Sequence, residues 1–154
     1  MRGDSNLVPM VSTRVEGGKL IVNAGDDDVD PKLALDVIFK TPRMGRIEAT
    51  GDSRVDITMT SDTTLEVKAA GDAWIVGHGK IARLEGDLAG NAHLEARELV
   101  ARQVDLDAAG SSVVAVCATE SLKVDLAGSN VTDYYCDPRQ VDDEVSSNAH
   151  LHYR

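Results

Sequence analysis

Seven acids, Glu66, Glu85, Asp105, Asp107, Asp125, Asp142 and Glu144, recur along the chain at the outward positions of alternating segments. Rows of carboxylates can do two kinds of chemistry. A calcium ion takes six to eight oxygen ligands, which such rows could supply. Two carboxyl groups flanking a glycosidic bond can act as acid and base. Glu85, Asp87, Asp105, Asp107 and Asp125 form the candidate acidic face for either task. Lys68 and Lys123 are expected to interrupt the columns of acids. That is the pattern of a solvated face limiting its own repulsion, since like charges directly opposite one another destabilise a sheet. A solvated face is therefore the default reading.

Other reactive residues carry weaker signals. Asp26, Asp27, Asp28 and Asp30 are dense in acid but lack the spacing and closing glutamate of a calcium loop. His150 and His152 alternate on one strand face, His93 lies three repeats below, and His78 sits in a glycine-flanked turn, so the four make no zinc set. No nucleophile–histidine–acid spacing and no phosphate-binding glycine loop stands out. The reading is of a non-enzyme with no catalytic residues, no metal and no cofactor. Arg2-Gly3-Asp4-Ser5 spells an integrin-type tripeptide, but without loop context a motif this short reads as chance. Two cysteines, Cys117 and Cys136, are too few for a disulfide framework.

Bulk composition narrows the classes. The chain has 154 residues, 42% hydrophobic but only 3% aromatic, so Val, Leu, Ile and Ala must build the core. A net charge of −10 disfavours nucleic acid and anionic lipid as partners. No apolar run is long enough to span a membrane, and the first residues carry no signal-peptide core.

The elements that position the acids come from a repeat. Gly51, Gly71, Gly90, Gly110 and Gly128 each follow a small residue, at spacings of 20, 19, 20 and 18. One further step reaches Ser147, where serine replaces glycine. The next residue is Asp52, Asp72, Asn91, Ser111, Ser129 and then Asn148, all short turn formers. Before each glycine the chain alternates strictly, as in Leu122-Lys123-Val124-Asp125-Leu126, which is a strand with one buried face. A second strand follows each glycine. Its fourth residue is Val55, Ile75, Leu94, Val114 and then Thr132, and the less apolar end suggests a register slip of one near the C-terminus. No segment has convincing helical periodicity. Such a unit buries its apolar face only by stacking on its neighbours. The expected fold is all-β, a right-handed parallel β-helix of about six short turns rising about 4.8 Å each. The glycines are its corners, with positive φ. The alanine before each is expected to sit in a crowded corner, and the Asp/Asn/Ser column to form a hydrogen-bonded ladder from side chain to backbone.

Residues 1–45 differ from the rest, and 46–154 hold the turns, within a single domain overall. Val11 to Ala24 reads as a hairpin around Gly17-Gly18, and 32–42 as another strand, together capping the first turn. Trp74, Val76, Val113 and Val131 would lie near the surface as an apolar strip. Cys117 and Cys136 each stand five residues before the start of a strand, at Leu122 and Val141. They should occupy one slot in adjacent turns, close enough to bridge in an oxidising compartment.

The glycine corners in AAGDAWI, LAGNAHL, AAGSSVV and LAGSNVT resemble those of the DUF2807 family, the auto-transporter adhesin head (GIN) domain. NLVPMVSTRVEGGKLIV looks like that family's entry hairpin, and CATESLKVDLAGSNVTDYYCDPRQV like its closing segment. The chain departs from the family corner at its first glycine, which is here Thr50, Ala70, Ala89, Ala109, Ala127 and Ser146. The resemblance implies a β-helix of the bacterial envelope, periplasmic or on the surface, with no active site to carry over. It implies binding to a protein or glycan. A self-assembling scaffold, a homo-oligomer formed through the rod ends, is the alternative, and a carbohydrate-active face a third.

Overall fold

The computed structural model describes the backbone of Ser12–Glu16 and Lys19–Asn23, and residues 44–146 and 148–154. The chain divides into two units, Met1–Lys40 and Thr41–Arg154. In the first, β1 (Ser12–Glu16) and β2 (Lys19–Asn23) pair antiparallel, with Glu16 opposite Lys19. This is the pairing of the expected hairpin, whose Gly17 and Gly18 lie outside the described residues. The Arg2–Ser5 motif, the acids at 26–30 and the expected strand over 32–42 lie outside the described residues.

The second unit is a parallel β-solenoid of about six turns. Its strands are β3 (Arg46–Thr50), β4 (Arg54–Thr60), β5 (Thr64–Gly71), β6 (Trp74–Gly90), β7 (His93–Gly110), β8 (Val113–Gly128), β9 (Val131–Tyr135), β10 (Gln140–Val145) and β11 (His150–Tyr153). Every pairing among them is parallel. The described residues include no helix. Each turn has one run after a glycine corner and one run before the next, and each run stacks on its counterpart.

Side-chain size explains how so few aromatics suffice. Ala69, Leu88, Ala108 and Leu126 are successive lateral neighbours, so small and large residues alternate up the stack. Gly86 faces inward, where an added Cβ would come within 2.5 Å of Leu106 Cδ2, so the leucine above fills the space the glycine leaves. Leu65, Leu84, Leu106, Leu122 and Val124 are fully buried in this way. Burying a side chain of that size contributes about 1.5–3 kcal/mol.

The corners hold both a confirmation and two corrections. Gly51, Gly71, Gly90, Gly110 and Gly128 all have positive φ, from +67° to +105°. The alanines before them are not crowded, because Ala89, Ala109 and Ala127 are exposed. From Gly71 onward the crowded residue is the glycine itself. The expected ladder along the Asp/Asn/Ser column does not form either: Asn91 Nδ2 donates to Asp72 Oδ1 at 3.0 Å, the links from that column to the corner below run backbone to backbone, and the side chain that bonds a corner glycine is Ser146, whose Oγ accepts from the Gly128 N–H and donates to the Gly128 carbonyl at 3.2 Å. Asn91, Ser111 and Ser129 N–H groups donate to the carbonyls of Gly71, Gly90 and Gly110 at 2.7–2.9 Å. One buried side chain does tie a corner together. Asn130 donates to the carbonyls of Ala108 and Ala127 and accepts from the N–H of Ser112. Ser147, the expected last corner, lies outside the described residues.

The register near the C-terminus does not slip. Thr132 pairs directly with Val114, and Tyr134 with Val116. Thr132 simply places a buried hydroxyl in an apolar column, where it finds no hydrogen-bond partner. Irregularity sits lower down instead. Between Ala96 and Val100 the chain inserts residues that the turn above lacks, where Val116 and Cys117 are consecutive.

Candidate functional site

The outward residues of the run before each glycine form two principal columns. In one, Arg46, Glu66, Glu85, Asp105, Lys123 and Asp142 stand side by side. In the other stand Glu48, Lys68, Asp87, Asp107, Asp125 and Glu144. The structure thus brings the five acids of the candidate face together. Both lysines interrupt their columns as expected, Lys68 between Glu48 and Asp87 and Lys123 between Asp105 and Asp142, which leaves Asp87, Asp107, Asp125 and Glu144 as an unbroken run.

Charge compensation follows the same division. Lys68 Nζ reaches Asp87 Oδ2 at 3.1 Å and Glu66 Oε1 at 3.8 Å. Arg83, at the edge of the face, reaches Glu85 Oε1 at 2.7 Å and Asp105 Oδ2 at 2.9 Å. Arg46 pairs with Glu48 and Glu66. Sequence reasoning missed Arg83 as the neutraliser of two of these acids. The signal was present, because Arg83 stands two residues before Glu85 and one repeat below Asp105. Among the described residues, no ion pair reaches Asp107, Asp125, Asp142 or Glu144. The N-terminal turns are therefore neutralised and the C-terminal turns keep their negative charge.

Beside these columns runs an open groove of about 260 Å³, floored by the ladder Arg83, Gln103, Ser121 and Gln140 with Asp105 and Lys123 along its wall. Its lining is polar and shallow, suited to contact along an extended partner rather than to enclosing a substrate. Among the described residues, no group of three or more His, Cys, Asp or Glu is placed to hold a metal ion. No helix there is long and apolar enough to cross a membrane.

The other face places the remaining candidates. Arg54, Trp74, His93, Val113, Val131 and His150 make one outward column. Trp74 stacks on His93 with centroids 4.7 Å apart, and the Arg54 guanidinium lies 5.3 Å from the centre of the indole. Both indole faces are thus covered within the stack, which leaves ring edges outward. His78 is not in a turn but on β6, between Asp56 at 3.7 Å and Glu98 at 3.0 Å. His150 and His152 stack on each other at 5.9 Å, and His152 reaches Asp133 at 3.4 Å.

Cys117 and Cys136 form a disulfide with Cα atoms 5.2 Å apart. The slot is shared only nearly: the lateral neighbour of Cys117 is Tyr135, and Cys136 follows one residue later. Cys136 and Asp137 have φ of +74° and +48°, so the chain turns there and brings the sulfur back over Cys117.

The family model described as "Putative auto-transporter adhesin, head GIN domain" (DUF2807) matches residues 1–138. The chain belongs to the DUF2807 family. The match ends before β10, so the last turn, Gln140–Tyr153, lies beyond it. Neither the curated proteins nor the solved structures include a match to this chain. The family is described as an adhesin head and not as an enzyme, which agrees with a site that is a surface rather than a cleft.

Proposed function

We propose that this GIN domain is a non-enzymatic binding module of the bacterial cell envelope, periplasmic or at the surface, which presents the outer face of its solenoid to a protein or glycan. One observation carries the reading. The outward residues of successive turns stand in strict register, so Asp107, Asp125 and Glu144 beside Lys123 make a flat, regular, uncompensated charged face. Parallel strands lie about 4.8 Å apart, which sets the period of that face. A flat surface with a fixed charge period suits an extended polymer or a strand-like protein surface. The adhesin-head description of the family supports the same task. The disulfide supports an oxidising compartment, where such bridges persist.

The test is binding to a glycan array and to isolated bacterial envelopes. The double variant Asp107→Lys, Asp125→Lys reverses the charge of the face without touching the core. Binding by the parent chain and its loss, tenfold or more, in the variant is the expected result. Equal binding by both would move the site off this face. Hydrolysis of an acidic polysaccharide by the parent chain would replace the reading with an enzymatic one.

A further inference from the structure

The last turn is built differently from those beneath it. Val124 is fully buried, as are Val67 and Leu106 in the same column, and Gly86 completes it. Directly beside Val124, in the next turn, stands Asp143. Side chains of laterally paired residues point to the same side of a sheet, so Asp143 takes the inward position of this column at the open end of the rod, where it is exposed. The inward positions on either side of it stay apolar: Val141 pairs with Leu122 and Val145 with Leu126. Val141 is 39% exposed and Val145 37%, so they offer apolar surface along the rod axis. Among the described residues, β10 pairs only with β8 and β11 only with β9, so both outer edges keep free backbone donors and acceptors.

An inward-pointing charge on an edge strand blocks indiscriminate pairing with other strands. This strand carries a single charge between two valines. The apolar contact is available, but only to a strand that also neutralises the charge. We propose that the outer edge of β10 accepts an extended segment in parallel register that places a Lys or Arg over Asp143, with apolar residues two positions to either side. Backbone pairing supplies such strand addition with affinity, and alternate side chains supply its specificity. Head-to-tail stacking of a second copy through its described solenoid strands is excluded by the same rule. Its own strands put Ile47, Val67, Gly86, Leu106 and Val124 in that column, and none of these can pair a carboxylate. Burying an unpaired charge against them is strongly destabilising. Asp143 therefore both selects the partner and stops head-to-tail growth of the rod. This surface is the end of the solenoid, not its outer face, and the inference does not rest on the reading above.

The probe is a peptide with the sequence of Ser121–Gly128, SLKVDLAG, compared with its Val124→Lys and Val124→Glu forms. Binding to the intact chain is read by titration and by amide shifts in β10. The lysine peptide should bind at least tenfold more tightly than the glutamate peptide and more tightly than the parent peptide. Asp143→Lys in the protein should reverse the order of the lysine and glutamate peptides. Asp143→Leu should favour the parent peptide and should self-associate in light scattering, where the unaltered chain stays monomeric. Failure of all three peptides to shift β10, or equal affinity for all three, would overturn the proposal without requiring any variant to fold. An Asp143→Leu chain that folds and remains monomeric would also count against it.

Discussion

Gly51, Gly71, Gly90, Gly110 and Gly128 share a backbone conformation but differ in their surroundings. A Cβ at Gly51 would meet nothing within 4 Å, whereas one at Gly71 would meet Gly51 backbone at 3.2 Å. At Gly90 the carbonyl oxygen of the glycine below lies 3.1 Å from the added atom, at Gly110 2.6 Å, and at Gly128 2.4 Å. Two costs are therefore separable. Positive φ alone costs an L-residue about 1–2 kcal/mol. Overlap with a backbone oxygen that is itself hydrogen-bonded adds about 1–3 kcal/mol, because neither partner can move freely. Gly51→Ala should lose only the first amount and Gly128→Ala the sum of both, with Gly90→Ala between them. Urea melts of the three variants check the order, and equal losses would show that conformation alone, not stacking, requires the glycines. The need for positive φ was legible in the sequence, since glycine recurs where the alternation breaks. The crowding was not, because it depends on how closely one corner stacks over the next. The same holds for Asn130, which sits in a column otherwise filled by Ala73, Ala92, Ser112 and Ala149. Only the stack reveals that its amide meets two carbonyls and an N–H group.

Strands and turns were legible because a period of two and a period of nearly twenty residues coincide. Lateral register follows from them almost directly: Leu65, Leu84, Val104 and Leu122 align as the spacing of the glycines requires. The failures occur where the period is locally violated. The extra residues after Ala96 shift the alignment on one side of the turn only, so counting from the next glycine misplaces their neighbours. Cys136 was misplaced by one residue for a related reason, the left-handed turn at Cys136 and Asp137. That turn makes a testable element of the last part of the chain. The bridge from Cys117 to Cys136 closes a loop of one solenoid turn, 19 residues in sequence. Closing a loop of that length stabilises by about 3 kcal/mol in the chain-entropy account. It also fixes two non-glycine residues in a conformation they rarely adopt. Beyond them, β10 and β11 each rest on a single neighbouring strand. Reduction should therefore speed amide hydrogen exchange in β9, β10 and β11 far more than in β5 to β7. Uniform acceleration throughout the unit would instead show that the whole solenoid opens as one cooperative element.

Seen as a whole, the solenoid is electrically lopsided along its axis. On the acidic face the cations that hold the acids, Arg46, Lys68 and Arg83, all belong to the N-terminal turns, whereas Arg154 in the last turn pairs with Asp133 off that face. Asp107, Asp125 and Glu144 are lateral neighbours in successive turns, and among the described residues no ion pair reaches them. At the strand spacing, two unit charges in water repel by roughly 1 kcal/mol. This repulsion does not prevent folding because the buried columns beneath contribute far more. It leaves a measurable residue that distinguishes solvation from ion binding. Asp125→Lys places a cation between Asp107 and Glu144 and should stabilise the chain by about 1 kcal/mol at low ionic strength. The gain should fade near 1 M salt, where screening acts over about 3 Å. Lys68→Glu should do the opposite, because it breaks the 3.1 Å pair with Asp87 and sets acids side by side along the column. Calcium provides the deciding comparison. A solvated face responds to calcium no more than to monovalent salt of equal ionic strength. A bound ion at a hundredfold excess over its Kd would add about 2.7 kcal/mol beyond that. The expected result is matched melting temperatures in the two salts, together with opposite shifts for Asp125→Lys and Lys68→Glu. A calcium-specific rise that Asp125→Lys abolishes would make the unbroken column a cation site and would reassign the face from partner contact to ion binding.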